Sequence, residues 1–439
     1  MKALYTEETK ASLQLAWPII IGQLGVVLMG TTDNIMIGRL IGDVELGAAG
    51  LAHSVAFLIG SIGIGGIPVI APLIAKSRAK KDIKTVYQLL ESSLAVGAFF
   101  SVLLTVFGLL IFFNFEFLKQ TELVNTLAKP FYLIILLSNI PLFLFLSFKQ
   151  LTDGYSISRI AMIISFIGLG ANVILNYVLI NNFGLMGAAY ATLLVRILML
   201  LLIAIVVRKS AVFKNIFEFK ASLEAKLTKQ LIVYCIPGGL QMFFEIGAFS
   251  FAVIMMGWIS EQALAAHQIA INIAAITYMM AAGIGYAGSI RVGNALAHHH
   301  PRAVRTAGNV NLGLVTFFMT LSLLIIINFK DYIIHWYTDD AAIHAIAVRL
   351  LVIAALFQLS DGVQVASLGN LRGISDVKIP SVITFIAYWV IALPLGYFLG
   401  FKNQLGASGI WYGLLAGLTF AAIFLTIRFY SLTKKTVLN

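Results

Sequence analysis

PIIIGQLGVVLMGTTDNIMIG, Pro18 to Gly38, is an apolar run that contains one charge, Asp33. About 20 such residues, coiled as a helix, cross the ~30 Å hydrocarbon core of a bilayer. Gly22, Gly25, Met29 and Asp33 follow one another at three or four residues and so share roughly one helix face. Small residues on that face let a neighbouring helix approach closely. An unpaired ionised acid at mid-bilayer costs about 2.5 to 3.5 kcal/mol. Asp33 therefore calls for a proton, a metal ion or a cationic ligand, unless it lies solvated near the outer end of the span.

Two further acids sit in comparable surroundings. Glu245 lies in PGGLQMFFEIGAFSF, Pro237 to Phe251, and Asp361 in LFQLSDGVQVA, Leu356 to Ala366. Three uncompensated charges would together cost an amount comparable to the net stability of a whole domain, about 5 to 15 kcal/mol. Ionisable residues in such segments mark transport pathways by default, so the leading reading is a transporter.

The rest of the chain fits a membrane setting. Hydrophobic residues make up 60% and charged residues 11%, against about 25% charged in soluble domains. Mean hydropathy is +0.95. Apolar runs fall near 12–37, 46–74, 87–113, 124–147, 157–180, 184–207, 231–257, 262–290, 306–328, 343–371, 379–400 and 405–430, twelve spans in all. The expected fold is an all-α integral membrane protein of twelve transmembrane helices. The start carries acids and no small-residue cleavage site, so the first run reads as a permanent helix rather than a removable signal.

The net charge of +11 follows the loops. With a cytoplasmic N-terminus, 23 of the 30 Lys and Arg fall on the inside, Arg39, Lys119, Lys129, Lys330 and Lys402 fall outside, and Arg196 and Arg349 fall within spans. By the positive-inside rule both termini are expected in the cytoplasm. The basic balance then needs no nucleic-acid partner. The expected location is a bacterial cytoplasmic membrane, and the expected state a monomer. The single Cys235 cannot form an internal disulfide and reads as a packed side chain.

The chain also repeats itself at an offset of about 219 residues: Pro18 and Pro237, Gly154 and Gly373, Ser156 and Ser375, Gly187-Ala188 and Gly406-Ala407. Six spans per half return the chain to its starting side. The two lobes, 1–207 and 231–439, are thus expected to be related by a pseudo-two-fold axis along the membrane normal, with a binding cavity between them. The segment 208–230 reads as an amphipathic, surface-lying cytoplasmic linker helix.

Further polar residues suggest partners for the acids. Asn172 and Asn176 stand four apart on the fifth span and can offer two carbonyl oxygens to a cation if a carboxylate joins them; Thr192 on the sixth can add a hydroxyl. Interhelical hydrogen bonding serves the asparagines equally well. Gln241 precedes Glu245 by one turn, Gln358 and Gln364 flank Asp361 at threes, and Tyr278 on the eighth span can bring a phenolic oxygen to that group. Gln241, Met242, Phe243, Phe244, Phe357, Gln358 and Gln364 are candidates for lining the cavity. His298 to His300 read as a solvated loop, and His267 as a packed or hydrogen-bonded imidazole. No GxxxxGK[ST], HExxH or GxSxG motif occurs, which argues against nucleotide hydrolysis and membrane proteolysis.

With MGTTDNIMIG around Asp33, the FFE of Phe243 to Glu245 and the DGVQ…LRG of Asp361 to Gly373, the whole chain resembles the multidrug and toxin extrusion family, in its NorM-like branch. The resemblance implies export of bulky, often cationic organic compounds coupled to Na⁺ or H⁺, with no cofactor. It also implies a C-lobe cation site of Glu245, Asp361 and Tyr278 and an N-lobe site of Asp33, Asn172, Asn176 and Thr192. Phe357 departs from relatives that carry a tyrosine one turn before the tenth-span acid. The rival within the same architecture is a lipid-linked saccharide flippase, which needs basic residues to meet pyrophosphate, and only Arg196 and Arg349 lie in spans. A polytopic membrane enzyme is a rival of another class, without a catalytic motif to support it.

Overall fold

The structure is a computed structural model that describes residues 2–118, 121–218, 224–297 and 301–435. Twelve helices in it are long and apolar enough to cross a membrane, which matches the count expected from hydropathy. In chain order they are α1 (Lys2–Leu40); α2 (Asp43–Gly66), carried on through a 3-10 turn into α3 (Ile70–Ala79); α4 (Ile83–Phe113); α5 (Glu122–Gly154); α6 (Arg159–Phe183); α7 (Leu185–Lys209); α8 (Ala225–Gly257); α9 (Glu261–Ala297); α10 (Pro301–His335); and α11 (Ala341–Gly373). The eleventh span is a composite in which α12 (Lys378–Phe385) and α13 (Leu393–Tyr397) are joined and followed by π-helical turns; α14 (Gly406–Lys435) is the twelfth.

Several helices outrun their apolar runs. α1 begins at Lys2 rather than near residue 12, and α8 at Ala225 rather than 231. Hydropathy registers only the lipid-immersed stretch, whereas the backbone keeps its helical bonds through flanking polar turns. Polar caps set other ends: Asp82 accepts from the Thr85 amide (3.0 Å) and hydroxyl (2.6 Å) at the start of α4, and Asp340 from the amides of Ala342 (2.7 Å) and Ile343 (3.1 Å) at the start of α11.

The repeat is visible in the backbone. α5 and α11 end at Gly154 and Gly373, and the serines two residues on, Ser156 and Ser375, have φ of 60° and 69°. The last span of each half begins at a left-handed glycine, Gly184 or Gly406, each with φ of 58°. The counterpart of Gly406 is therefore Gly184, and not the Gly187 suggested by the 219-residue offset: the second half has gained three residues before this point, and Gly187 lies inside α7.

The linker differs from its expectation. Of its described residues, 208–209 close α7, Ala211–Ile216 form a 3-10 turn, and 225–230 already belong to α8, so no separate α-helix lies between α7 and α8 among the described residues. Phe213 and Ile216 are buried, with Phe213 packed edge-on against Tyr155 at 5.1 Å between centroids. A three-residue spacing matches the 3-10 period and puts both side chains on one side. Residues 219–223 and the His298 to His300 cluster lie outside the described residues.

Contacts divide the chain into two compact units, residues 21–243 and residues 1–20 with 244–439. In the first, α5 packs on α2, α4 and α7 around Phe100, Phe131, Tyr132 and Phe143. Buried hydroxyls there are satisfied by backbone: Tyr132 donates to the Gly108 carbonyl (3.0 Å), and Ser147 to those of Ser93 and Phe143 (both 2.9 Å). In the second, α11 packs on α9, α10 and α14 around Trp411, Phe357 and Tyr388. A bidentate pair from Arg291 to Glu8 (2.7 and 2.6 Å) fixes the first turns of α1 to α9. Cys235 is fully buried, in keeping with a packed role.

Candidate functional site

The first cluster is assembled by α1, α6 and α7. Asp33 is 3% exposed, and its Oδ1 accepts hydrogen bonds from the side-chain amides of Asn172 (2.8 Å) and Asn176 (2.5 Å). Its Oδ2 accepts from the Thr192 hydroxyl (3.0 Å). The four residues singled out on three separate spans therefore meet, and Asp33 is not a solvated end residue. The asparagines turn their amide groups toward the carboxylate. Their carbonyl oxygens, Asn172 Oδ1 and Asn176 Oδ1, are buried and have no hydrogen-bond partner. Two unsatisfied acceptors beside a carboxylate make up a hard-oxygen donor set suited to a small cation.

One turn after Thr192, α7 presents Arg196. Its Nη1 donates to Ser138 Oγ (2.7 Å) and Asn139 Oδ1 (2.8 Å) on α5, and its charge acts on Asp33. Arg196 stood out in the sequence only as a basic residue inside a span; the distance in sequence from Ser138 and Asn139 hid its partners.

The second cluster is built on α8, α9, α11 and the π-helical part of the eleventh span. Glu245 and Asp361 are both buried, and their charges act on each other and on Tyr278. Tyr388, which stood out in no motif, accepts a hydrogen bond from Gln364 Nε2 (3.0 Å) and has its hydroxyl within hydrogen-bonding reach of Glu245. It sits in the π-helical stretch Ile386–Ala392, just before Pro394, whose missing N–H disturbs the regular ladder. A tyrosine between Ala387 and Trp389 in an apolar span was the one available signal. Arg372, at the end of α11, acts electrostatically on Glu245 and Tyr278 and stacks over the Tyr286 ring at 5.8 Å.

Of the cavity candidates, Gln358 takes a hydrogen bond from Thr277 (2.8 Å) and Gln364 is held by Tyr388, both fully buried. Gln241 is buried as well, while Met242, Phe243 and Phe244 are partly buried, and Phe244 packs edge-on against Phe385 at 5.0 Å. Phe357 corrects the expectation of a cavity-lining ring. It is 2% exposed and lies in the apolar core against Trp411 (5.5 Å) and Phe249 (6.0 Å). These two aromatic neighbours pack against a side chain that has no polar tip to seek water. His267 accepts a bond from Trp411 Nε1 (3.1 Å), as a hydrogen-bonded core imidazole does. Among the described residues no group of three or more His, Cys, Asp or Glu is placed to hold a metal ion.

Duplicated helical halves spanning the membrane, each with a buried carboxylate cluster, define a polytopic transporter rather than an enzyme. The MatE family model matches the chain twice, over residues 18–178 and 237–398, and the protein belongs to that family. The two matches begin at the prolines Pro18 and Pro237, where the internal repeat was read. The chain is 31% identical over 444 residues to a probable multidrug resistance protein NorM of Bacillus anthracis, covering 98% of this chain and 97% of that one. It is 32% identical over 457 residues to the multidrug resistance protein NorM of Vibrio cholerae, with the same coverage. Among solved structures it matches a eukaryotic MATE transporter (TM-score 0.89, 17% identity, 99% of each chain). A Vibrio cholerae MATE transporter in a bent form matches with a TM-score of 0.88 at 17% identity, over 99% of each chain.

Proposed function

We propose that the chain is a cation-coupled antiporter that exports bulky organic compounds, many of them cationic, by alternating access, with Na⁺ or H⁺ as the coupling ion. The observation that carries this reading is the Asp33 cluster, in which a buried carboxylate is ringed by amides whose own carbonyl oxygens are left without partners. Glu245, Asp361 and Tyr278, joined by Tyr388, form the matching cation site in the other half, and Asp33, Asn172, Asn176 and Thr192 the first. Gln241, Met242, Phe243, Phe244, Gln358 and Gln364 contribute to the passenger's path.

Ion and passenger favour opposite states, and the coupling is reciprocal: each lowers the other's affinity by the same factor. A monovalent cation moving inward gains about 2.3 kcal/mol per 100 mV. That is enough to concentrate a neutral passenger some tens-fold. Exchange of one monovalent cation for one monovalent passenger is electroneutral, so a chemical gradient or a second ion then supplies the work. The lobes 1–207 and 231–439 are the moving bodies, the protein acts as a monomer, and the Lys and Arg bias supports cytoplasmic termini in a bacterial cell.

The test is efflux of a fluorescent organic cation from proteoliposomes under separately imposed Na⁺ and pH gradients. One of the two should drive accumulation against the passenger's own gradient. Accumulation under neither would refute the antiport reading.

A further inference from the structure

The unit of residues 1–20 with 244–439 carries a cavity of about 350 Å³ where α9 ends, α10 begins, α11 gives way to α12 and α14 closes. Leu296, Val304, Ile374 and Leu432 give it apolar walls, and Asp376, Arg428 and Thr433 complete the lining. These helix ends fall on the side that the Lys and Arg bias assigns to the cytoplasm.

The polar side of the cavity is basic. Arg428 gives its Nε to Asp376 Oδ2 at 2.5 Å and makes no other hydrogen bond among the described residues, so its two Nη groups stay available. Arg305, next to Val304 in the first turns of α10, makes no ion pair among the described residues. Its Nε and Nη2 reach only neutral acceptors, Thr433 Oγ1 at 3.3 Å and the Tyr430 carbonyl at 3.4 Å, both long for such bonds. Arg302 and Lys434 flank these residues in the chain and are exposed, whereas Asp376 is the one acid in the lining. A guanidinium held so loosely gains by taking a phosphate oxygen, because charge-assisted bonds are about twice as strong as neutral ones.

Lipid reaches the same place. Ile423 and Ile427 on α14 and Ile379 and Val382 on α12 are exposed on spanning helices, where exposed aliphatic side chains meet hydrocarbon. Ile427 directly precedes Arg428, and Ile379 follows Asp376 by three residues, so the lipid-facing rows run up to the cavity. Four aliphatic walls would only strip water from a free inorganic anion. A ligand that is anionic at one end and hydrocarbon at the other suits both parts, and basic pockets between helices on the cytoplasmic side take the headgroups of anionic lipids.

We propose that this cavity binds an anionic phospholipid, with the phosphodiester on Arg428 and Arg305 and the glycerol and first acyl carbons against Leu296, Val304, Ile374 and Leu432. The occupant joins the ends of α10, α11 and α14, and so stabilises the folded unit by mass action.

The test uses the full chain in detergent, titrated with phosphatidylglycerol or with phosphatidylcholine of the same acyl chains, and counts bound lipids by native mass spectrometry. The first phosphatidylglycerol should bind about tenfold tighter than the first phosphatidylcholine. Arg305→Gln, which breaks no ion pair, should weaken that phosphatidylglycerol by about tenfold and leave phosphatidylcholine as it was; Arg428→Gln should weaken it by about tenfold to a hundredfold, the range for hydrogen bonds to a charged partner. Asp376→Asn, which releases Arg428 from its acid, should tighten phosphatidylglycerol several-fold, a gain that a merely structural Arg428 would not give. Melting is the second reading: phosphatidylglycerol should raise the melting temperature of the unaltered protein, and raise it less in Arg305→Gln. Inorganic phosphate should fail to displace the lipid. Equal affinity for the two lipids, unchanged phosphatidylglycerol binding in both arginine variants, or parallel loss of both lipids overturns the inference. Displacement by inorganic phosphate would assign the cavity to a free anion and overturns it too. Binding is read without transport, so the outcome stands apart from the antiport reading.

Discussion

Ser156 and Ser375, 219 residues apart, occupy the same left-handed backbone turn at the ends of α5 and α11. Their amides make equivalent bonds, Ser156 to the Asp153 carbonyl (2.8 Å) and Ser375 to that of Arg372 (2.9 Å). The next residues, Ile157 and Asp376, bond five back to Thr152 and Leu371 (both 2.8 Å). This conformation costs an L-residue roughly 1 to 2 kcal/mol, and more when the side chain is β-branched. Val at either position should lower thermal stability by about that amount, and Gly should be neutral or stabilising. Melting of the purified protein in detergent checks both, and equal behaviour of Val and Gly would show that the turn is not conserved in solution.

The Asp33 cluster can be perturbed without touching the acid. Asn176→Leu removes one amide donor and one unpartnered carbonyl oxygen. A hydrogen bond to a charged group contributes about 1.5 to 3 kcal/mol, so the coupling ion's half-saturating concentration for efflux should rise at least tenfold. Ion titrations of transport in proteoliposomes measure it, and an unshifted curve would remove Asn176 from the site.

Neutralising the acids of the other cluster should be more severe. Glu245→Gln and Asp361→Asn each keep the volume of a buried side chain and delete its charge. Export should be lost while the protein still inserts and purifies as a single species. Resistance of cells carrying either variant, compared with the unaltered chain at equal membrane abundance, decides the matter.

Tyr388→Phe leaves the ring in the core beside Phe249 (5.9 Å) and deletes only the hydroxyl shared by Glu245 and Gln364. The buried amide of Gln364 then lacks its partner, at a cost of about 1 to 3 kcal/mol. The melting temperature should drop accordingly, and the pH profile of efflux should move because a donor to Glu245 is gone. A stability loss with an unmoved profile would make Tyr388 purely structural.

Asp82 caps α4 outside the spans, and the bonds from Thr85 hold its carboxyl below the usual carboxylate range. A carboxyl depressed in the folded state stabilises the fold above its unfolded value, about 3.9, and loses that contribution as pH falls through the folded value. Asp82→Ala should therefore cost about 1 kcal/mol at pH 7, and the gap should close in acid. Melting curves of both proteins at pH 7 and pH 3 test the sign.

Twelve spans, the duplication and the three acids were legible in the sequence because lipid imposes its terms locally. A run of about 20 apolar residues has one inexpensive solution, and a carboxylate inside it stands out whatever surrounds it. Asp33, Asn172, Asn176 and Thr192 could be suspected one at a time from their types. That they form one hydrogen-bonded group was decided by the packing of α1, α6 and α7, since residues up to 159 apart carry no mutual signal along the chain. Tyr388 was missed for the same reason: it lies in a π-helical turn far along the chain from Glu245. Phe357 was misplaced because an aromatic beside a polar stripe reads alike in sequence whether it faces a cavity or, as here, the core against Trp411. Composition and spacing thus determined the solvent, the span count and the presence of buried charge; only the tertiary structure decided which polar atoms meet, because hydrogen bonds act over about 3 Å and the sequence does not encode distance.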